Sequence, residues 1–247
     1  WPEPGSTAAG RRTQDILHAL QAAGYRVSFA CAARPSEHRL DLAALGVDSH
    51  TVQPNDADFD TWIAQLAPDV VIFDRFMIEE QFGWRVETAC PQSLRVLDTS
   101  DLHCLREARQ TQLKKGGNLD LYNEIALREI AAIHRSDLTL MISEYEMAVL
   151  RETFAIPEEQ IAYWPFILER CDDTFAGFDE RQHFIMIGSF MHPPNVDAAR
   201  WCKQAIWPLI RKELPQAELH CYGSYGEKFK GELHSPKQGF HFRGRAE

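Results

Sequence analysis

The chain has 247 residues, of which 45% are apolar and 25% charged; at about 100–200 residues per domain it has room for one large domain or two small ones. That balance excludes a disordered or fibrous chain. Lys and Arg number 26 against 36 Asp and Glu, a formal charge of −10, which argues against a general nucleic-acid binder, because such a protein needs a basic face to neutralise phosphates.

In chain order, short β-rich runs alternate with longer helical patterns. Residues 1–10 read as a loop, and Ile16, Leu17, Leu20 and Ala23 then share one helical face, with Gly24 placed as a C-cap. A strand is expected over 26–31, followed by a helix over 57–67. The run 69–74 is the clearest strand, nearly all apolar and bounded by Asp69 and Asp74. A helix over 77–89, a strand over 94–98, a helix over 120–135, a strand over 137–143 and a helix over 144–155 follow. Residues 165–181 are mostly polar and without period, and they read as a domain boundary. A fresh pattern then starts with a strand over 183–188. Ala198, Cys202, Ala205, Ile206 and Leu209 form a helical stripe that Pro208 kinks or restarts. Strands over 217–223 and 239–244 complete the chain. Apolar runs of this kind suit parallel strands covered on both faces. Alternation with helices predicts βαβ units and doubly wound α/β domains.

No run approaches the roughly 18 consecutive apolar residues of a spanning helix, and no basic-then-apolar leader is visible in these residues. Cys31, Cys90, Cys104, Cys171, Cys202 and Cys221 are scattered without a C-x-x-C pair. Reduced thiols in a reducing compartment are therefore expected rather than a disulfide framework. A doubly wound domain opens with a strand that feeds a glycine-containing loop and the first helix. Residues 1–10 look like that loop, so the chain is expected to begin after that strand. It is likewise expected to stop inside its second domain at Glu247.

Ligands of open α/β sheets bind at the carboxyl ends of the strands, which singles out three segments. In Gly5-Ser-Thr-Ala-Ala-Gly10 the glycines have P-loop spacing, but Arg11 and Arg12 stand where Lys-Ser/Thr is required, so an NTPase is disfavoured. Gly5 still lets the backbone approach a phosphate, and Ser6 or Thr7 starts a helix whose free N–H groups favour an anion; the alternative is a helix cap and nothing more. In the second segment, 97–103, Asp98, Asp101 and His103 cluster after a strand. Asp101 and His103 are the candidate catalytic pair, since a carboxylate beside an imidazole can orient a hydroxyl or take its proton. The bland alternative has Asp101 capping the next helix and His103 solvated in its first turn. Arg106, Arg109, Lys114 and Lys115 follow, suited to an anionic acceptor or lipid headgroup, or to a solvated helix face.

The third segment is 188–197. Gly188 and Ser189 can meet a diphosphate with backbone N–H groups, and His192 can donate to the same oxygens; otherwise Asn195 is an N-cap and the prolines stiffen the loop. Gly223 to Tyr225, at the next strand end, repeats the design. Weaker signals are the D-x-D patterns at Asp56, Asp58 and Asp60, better explained as capping, and Ser143 with Glu146, where Ser143 is a good N-cap. The crowd of His183, His192, His220, His234 and His241 matches no common zinc spacing, so no metal is expected.

Residues 2–11, with the helix ending at Ala23-Gly-Tyr-Arg-Val27, resemble the opening of family 4 glycosyltransferases. Residues 187–198, with Ile206-Trp-Pro-Leu-Ile-Arg211, Leu214-Pro215 and Tyr222-Gly223, resemble the start of that family's second domain. The likeness implies a GT-B-like fold of two Rossmann-like doubly wound domains, the second truncated. Residues 1–168 would be the acceptor-side domain lacking its first strand, and 169–247 the beginning of the donor-side domain. It also implies retaining transfer of a sugar from a nucleotide-sugar donor to a glycan or lipid-linked acceptor, without a cofactor. Gly5 and Ser6 would lie near the donor diphosphate or the acceptor, Gly188, Ser189, His192, Gly223 and Tyr225 on the donor side, and Asp101 and His103 on the acceptor side. A pair of glutamates used by the family would lie beyond Glu247. The expected setting is cytoplasmic, with peripheral membrane contact at the inner face open to the basic segment 106–115. The alternatives are a non-catalytic nucleotide- or sugar-binding module and a nucleotide-sugar epimerase of the same fold.

Overall fold

The structure is a computed structural model that describes residues 1–168 and 175–245. Cys171 and part of the expected boundary at 165–181 lie outside the described residues. The architecture is α/β with parallel sheets, compatible with a Rossmann-like arrangement. By contacts the chain groups into two units, one of Ser28–Ala33 with Asp48–Ile167, the other of Trp1–Val27, Arg34–Val47 and Leu168–Glu247.

The first of these units holds β1 (Ser28–Cys31) beside β2 (Asp48–Thr51), and a four-stranded sheet in the order β3 (Val70–Asp74), β4 (Leu94–Asp98), β5 (Leu138–Met141), β6 (Ile161–Tyr163). Every pairing is parallel. Between the strands run α2 (Asp58–Leu66), α3 (Phe76–Ala89), α4 (His103–Lys115), α5 (Glu124–Arg135) and α6 (Glu144–Phe154). Phe59, Phe73, Phe76, Phe82, Val86, Leu97, Leu105, Ile133 and Met141 pack into one core. The strands over 69–74 and 94–98 and the helices from 77 and 144 stand within a residue or two of expectation. β2 and β6 carry no expectation. β2 reads Asp-Ser-His-Thr and is mostly exposed, so it has no apolar signature, and β6 has only three residues.

The other unit opens with α1 (Ala8–Ala22), capped by the Thr7 hydroxyl, which accepts from the Gly10 N–H at 3.0 Å. Ala23 is the C-cap, and Gly24 follows at φ +87°, a conformation open to glycine. Its sheet is β7 (Phe184–Ile187), β8 (Leu219–Tyr222) and β9 (Phe240–Gly244), in that order and parallel. Contrary to the expectation of strands covered on both faces, β7 is a sheet edge with Ile185 66% and Ile187 70% exposed. The core lies instead around Trp207, Leu219, Cys221, Phe240 and Phe242.

The stripe at 198–209 forms α7 (Pro193–Trp201), a π-helical turn (Cys202–Ile206) and α8 (Trp207–Glu213). Pro208 has no N–H for the preceding turn, and its ring crowds the carbonyl four residues back. The chain widens ahead of it, and the Trp207 N–H reaches the Cys202 carbonyl. Asn195 is not the N-cap. His192 holds that position, the prolines fill the first two helical positions, and the Asn195 amide donates to the Ser189 carbonyl at 3.0 Å.

Among the described residues Cys90, Cys104, Cys202 and Cys221 are free thiols. Among the described residues no helix is long and apolar enough to cross a membrane.

Candidate functional site

In the unit carrying β7–β9, the structure brings the three small-residue loops together. Past the strand ends, the Gly188 N–H donates to the Tyr222 carbonyl at 3.1 Å and the Phe190 N–H to the Ser224 carbonyl at 3.0 Å. Glycine at 223 is dictated by this contact, because a Cβ there would collide with the Gly188 carbonyl and the Phe190 ring. A Cβ at Gly188 would lie 2.9 Å from the Asn195 amide. Both glycines are therefore explained by packing within the protein. Among the described residues the Ser189 hydroxyl is buried with no hydrogen-bond partner.

The opening loop joins them. Ser6 Oγ lies 3.5 Å from Ser224 Oγ, and the Tyr225 hydroxyl donates to the Glu3 carboxylate at 2.6 Å. That bond holds the tyrosine proton and pushes its pKa above the ordinary value. Arg245 approaches Gly5, where a Cβ would lie 3.2 Å from its guanidinium, and its Nη1 is 2.8 Å from His38 Nδ1. An open depression of about 420 Å³ lies beside these loops, lined by Phe190, Met191, Tyr225, Glu227 and Lys228. Gly5, Ser6, Gly188, Ser189, Gly223 and Tyr225 thus belong to one neighbourhood. His192, at the start of α7, is exposed.

In the other unit, Asp101 and His103 follow β4, and their geometry differs from the reading of a helix cap beside a solvated imidazole. His103 is buried, with its ring edge-on to Phe76 at 5.4 Å. Asp101 does not cap α4. The carboxylate of Glu129, on α5, accepts from the N–H groups of His103 at 3.0 Å and Cys104 at 2.9 Å. A partner 26 residues away thus fills the anion position at the start of this helix. Asp101 pairs with Arg106 at 2.7 Å and lies 3.9 Å from His103 Nδ1. That nitrogen is 3.1 Å from the Asp101 carbonyl and 3.3 Å from Glu129 Oε1. Both oxygens accept, so Nδ1 is the ring's donor toward them.

Glu146 completes this cluster. Ser143 caps α6 by accepting from the Glu146 N–H at 3.3 Å. Among the described residues one oxygen of the Glu146 carboxyl is buried with no hydrogen-bond partner. Burial raises its pKa, Asp101 and Glu129 add to the rise, and the Leu102 N–H and Arg109 oppose it. A buried carboxyl inclined to keep its proton, close enough to feel the charges of Asp101 and Glu129, is a candidate acid–base group. The Ser-x-x-Glu spacing at 143–146 has the form of a capping box and is the one sequence signal that marks this carboxylate. Glu129 carries no local signal at all. The D-x-D aspartates are structural: Asp56 accepts from the Asp58 N–H at 3.0 Å, and Asp60 pairs with the buried Arg85 at 2.7 Å. Arg75 and Ser100, after β3 and β4, and Tyr225, after β8, all have positive φ, so three strand ends hold strained residues.

No protein-family model matches this chain, and no curated protein matches it.

Proposed function

We propose that this chain is part of a retaining glycosyltransferase of GT-B-like fold, which moves a sugar from a nucleotide-sugar donor to a glycan or lipid-linked acceptor. The observation that carries the reading is the convergence of Gly5–Ser6, Gly188–Ser189 and Gly223–Tyr225 beside an open depression. The N–H groups of Gly188, Gly223 and Ser6 are taken by the Tyr222, Gly244 and Glu3 carbonyls, so a diphosphate would be met by the Ser6 hydroxyl and the first turn of α1. Lys228 supplies a positive charge at the rim, and Tyr225 an aromatic face for a base or sugar. As the glycosidic bond breaks, charge gathers on the leaving diphosphate, and fixed donors aimed at it lower the barrier. Asp101, His103 and Glu146 would serve the acceptor hydroxyl.

A specific observation favours the second reading, a non-catalytic nucleotide- or sugar-binding module: Asp101 is engaged by Arg106 and Glu129 by the start of α4. Thermal shift against UDP-, GDP- and ADP-sugars tests binding. Stabilisation by one donor together with sugar transfer to an acceptor supports the transferase. Stabilisation without turnover favours the module, and an altered donor sugar formed without acceptor favours the epimerase. No shift with any donor, in a folded protein, overturns all three.

A further inference from the structure

At the other end of the β7–β9 sheet, away from the loops just described, Glu218, His220 and His241 converge. Glu218 immediately precedes β8 and His220 is two residues on, so alternation puts both on one face. His241, on β9, stands directly opposite His220 in the parallel register. The result is three metal-ligand types on adjacent strands that are about 4.8 Å apart. Nε2 of His220 is 2.8 Å and Nε2 of His241 is 3.5 Å from the same oxygen, Oε2 of Glu218. All three ligand atoms lie within 4.8 Å of one another.

We propose that Glu218, His220 and His241 form a Zn²⁺ site that ties β8 to β9. Tetrahedral zinc with bonds of about 2.0–2.1 Å separates its ligand atoms by roughly 3.3 Å, close to the two distances found. The cluster also has an unmet demand. Among the described residues His241 Nε2 is buried and makes no hydrogen bond, the Glu218 carboxylate standing off at 3.5 Å, and a buried polar atom of that kind calls for an explanation. A metal ion gives that nitrogen its partner, while the negative Glu218 offsets part of the ion's charge.

His183 braces the site without joining it. Its Nδ1 accepts from the Glu218 N–H at 3.2 Å, and its ring stacks on His220 at 5.7 Å. This fixes the backbone of one ligand and the ring plane of another, the kind of outer support that metal sites use. Ile185, opposite His220 on β7, is 66% exposed, so an ion can reach the face and a water can take the fourth position. Arg243 is the opposing charge, with Nη2 3.5 Å from His220 Nε2. It is exposed, so its side chain has room to turn into solvent. Two imidazoles with one carboxylate suit zinc, whereas Mg²⁺ and Ca²⁺ need about six or more oxygens.

The test uses the whole chain freed of metal with a chelator and titrated with ZnCl₂ by calorimetry at neutral pH. One Zn²⁺ per chain is expected, with a rise in Tm. His220→Ala and His241→Ala should each weaken binding more than about 100-fold, beyond the 10–100-fold typical of an outer-shell loss. His134→Ala, on α5, should leave binding unchanged. Nitrogen-15 spectra of the wild type need no variant: Zn²⁺ should shift the Nε2 resonances of His220 and His241 together. Absence of saturable binding, equal binding of Mg²⁺, or unmoved Nε2 resonances overturns the proposal. So does binding retained in the folded double variant.

Discussion

Glu129 is almost wholly buried, and its two oxygens accept from two backbone N–H groups that have no other route to a partner. Glu129→Ala leaves both donors unsatisfied and should cost about 2–6 kcal/mol of stability, at about 1–3 kcal/mol for each buried orphan. Glu129→Gln keeps one accepting oxygen and should lose about half as much; urea denaturation of the pair reads the difference. Equal losses would mean that packing volume, not the carboxylate, holds this helix start. Glu146 behaves oppositely. Its burial raises the folded-state pKa, so the folded protein binds this proton more tightly than the unfolded chain. Its contribution to stability therefore falls as pH rises from the free-carboxylate range through the raised value. Glu146→Gln should raise Tm at neutral pH, and the gain should vanish in acid, where both states carry the proton. A gain independent of pH would remove the electrostatic account.

Among the elements, α8 shows how a local defect positions a core residue. The π turn at Cys202–Ile206 delivers Trp207 to the interior, where it is 2% exposed and its indole N–H donates to the Gln238 carbonyl at 2.7 Å. Trp207→Phe keeps most of the apolar surface and loses that bond. A loss of about 1–3 kcal/mol is expected by denaturant melting; no loss would mean that water satisfies the Gln238 carbonyl. The same element shows what was legible beforehand. Pro208 announces a break because its chemistry is local, but the form of the break depends on where Trp207 must point. β3 and β4 are readable because each is an apolar run. β2 is not, since its four residues are held by backbone pairing with β1 and carry polar side chains. The loops at Gly5, Gly188 and Gly223 were legible from small residues after strands. The carboxylate beside His103 was not, because Glu129 reaches it from another helix through tertiary packing.

For the molecule as a whole, the charge of −10 bears on behaviour in solution. Mutual repulsion keeps chains apart at neutral pH, while the apolar edge strand β7 stays uncovered, with Phe184, Ile185 and Ile187 exposed. Near the calculated isoelectric point of about 5.5 that repulsion disappears, and an unpaired apolar strand edge then invites strand pairing between molecules. Light scattering of the 247-residue chain should rise as pH falls toward that value. Ile185→Lys with Ile187→Lys should suppress most of the rise. Scattering unchanged by the two lysines would place the sticky surface elsewhere.

The bonds from Gly188 to Tyr222 and from Phe190 to Ser224 prolong the β7–β8 ladder beyond its strands, and the absent side chain of Gly223 lets the two loops touch. They therefore share a single plate with little freedom to flex separately. Discrimination between molecules settling there falls to what projects from its margin, Met191, Tyr225 and Lys228. A sequence drifting toward a new preference would change those three and keep the plate.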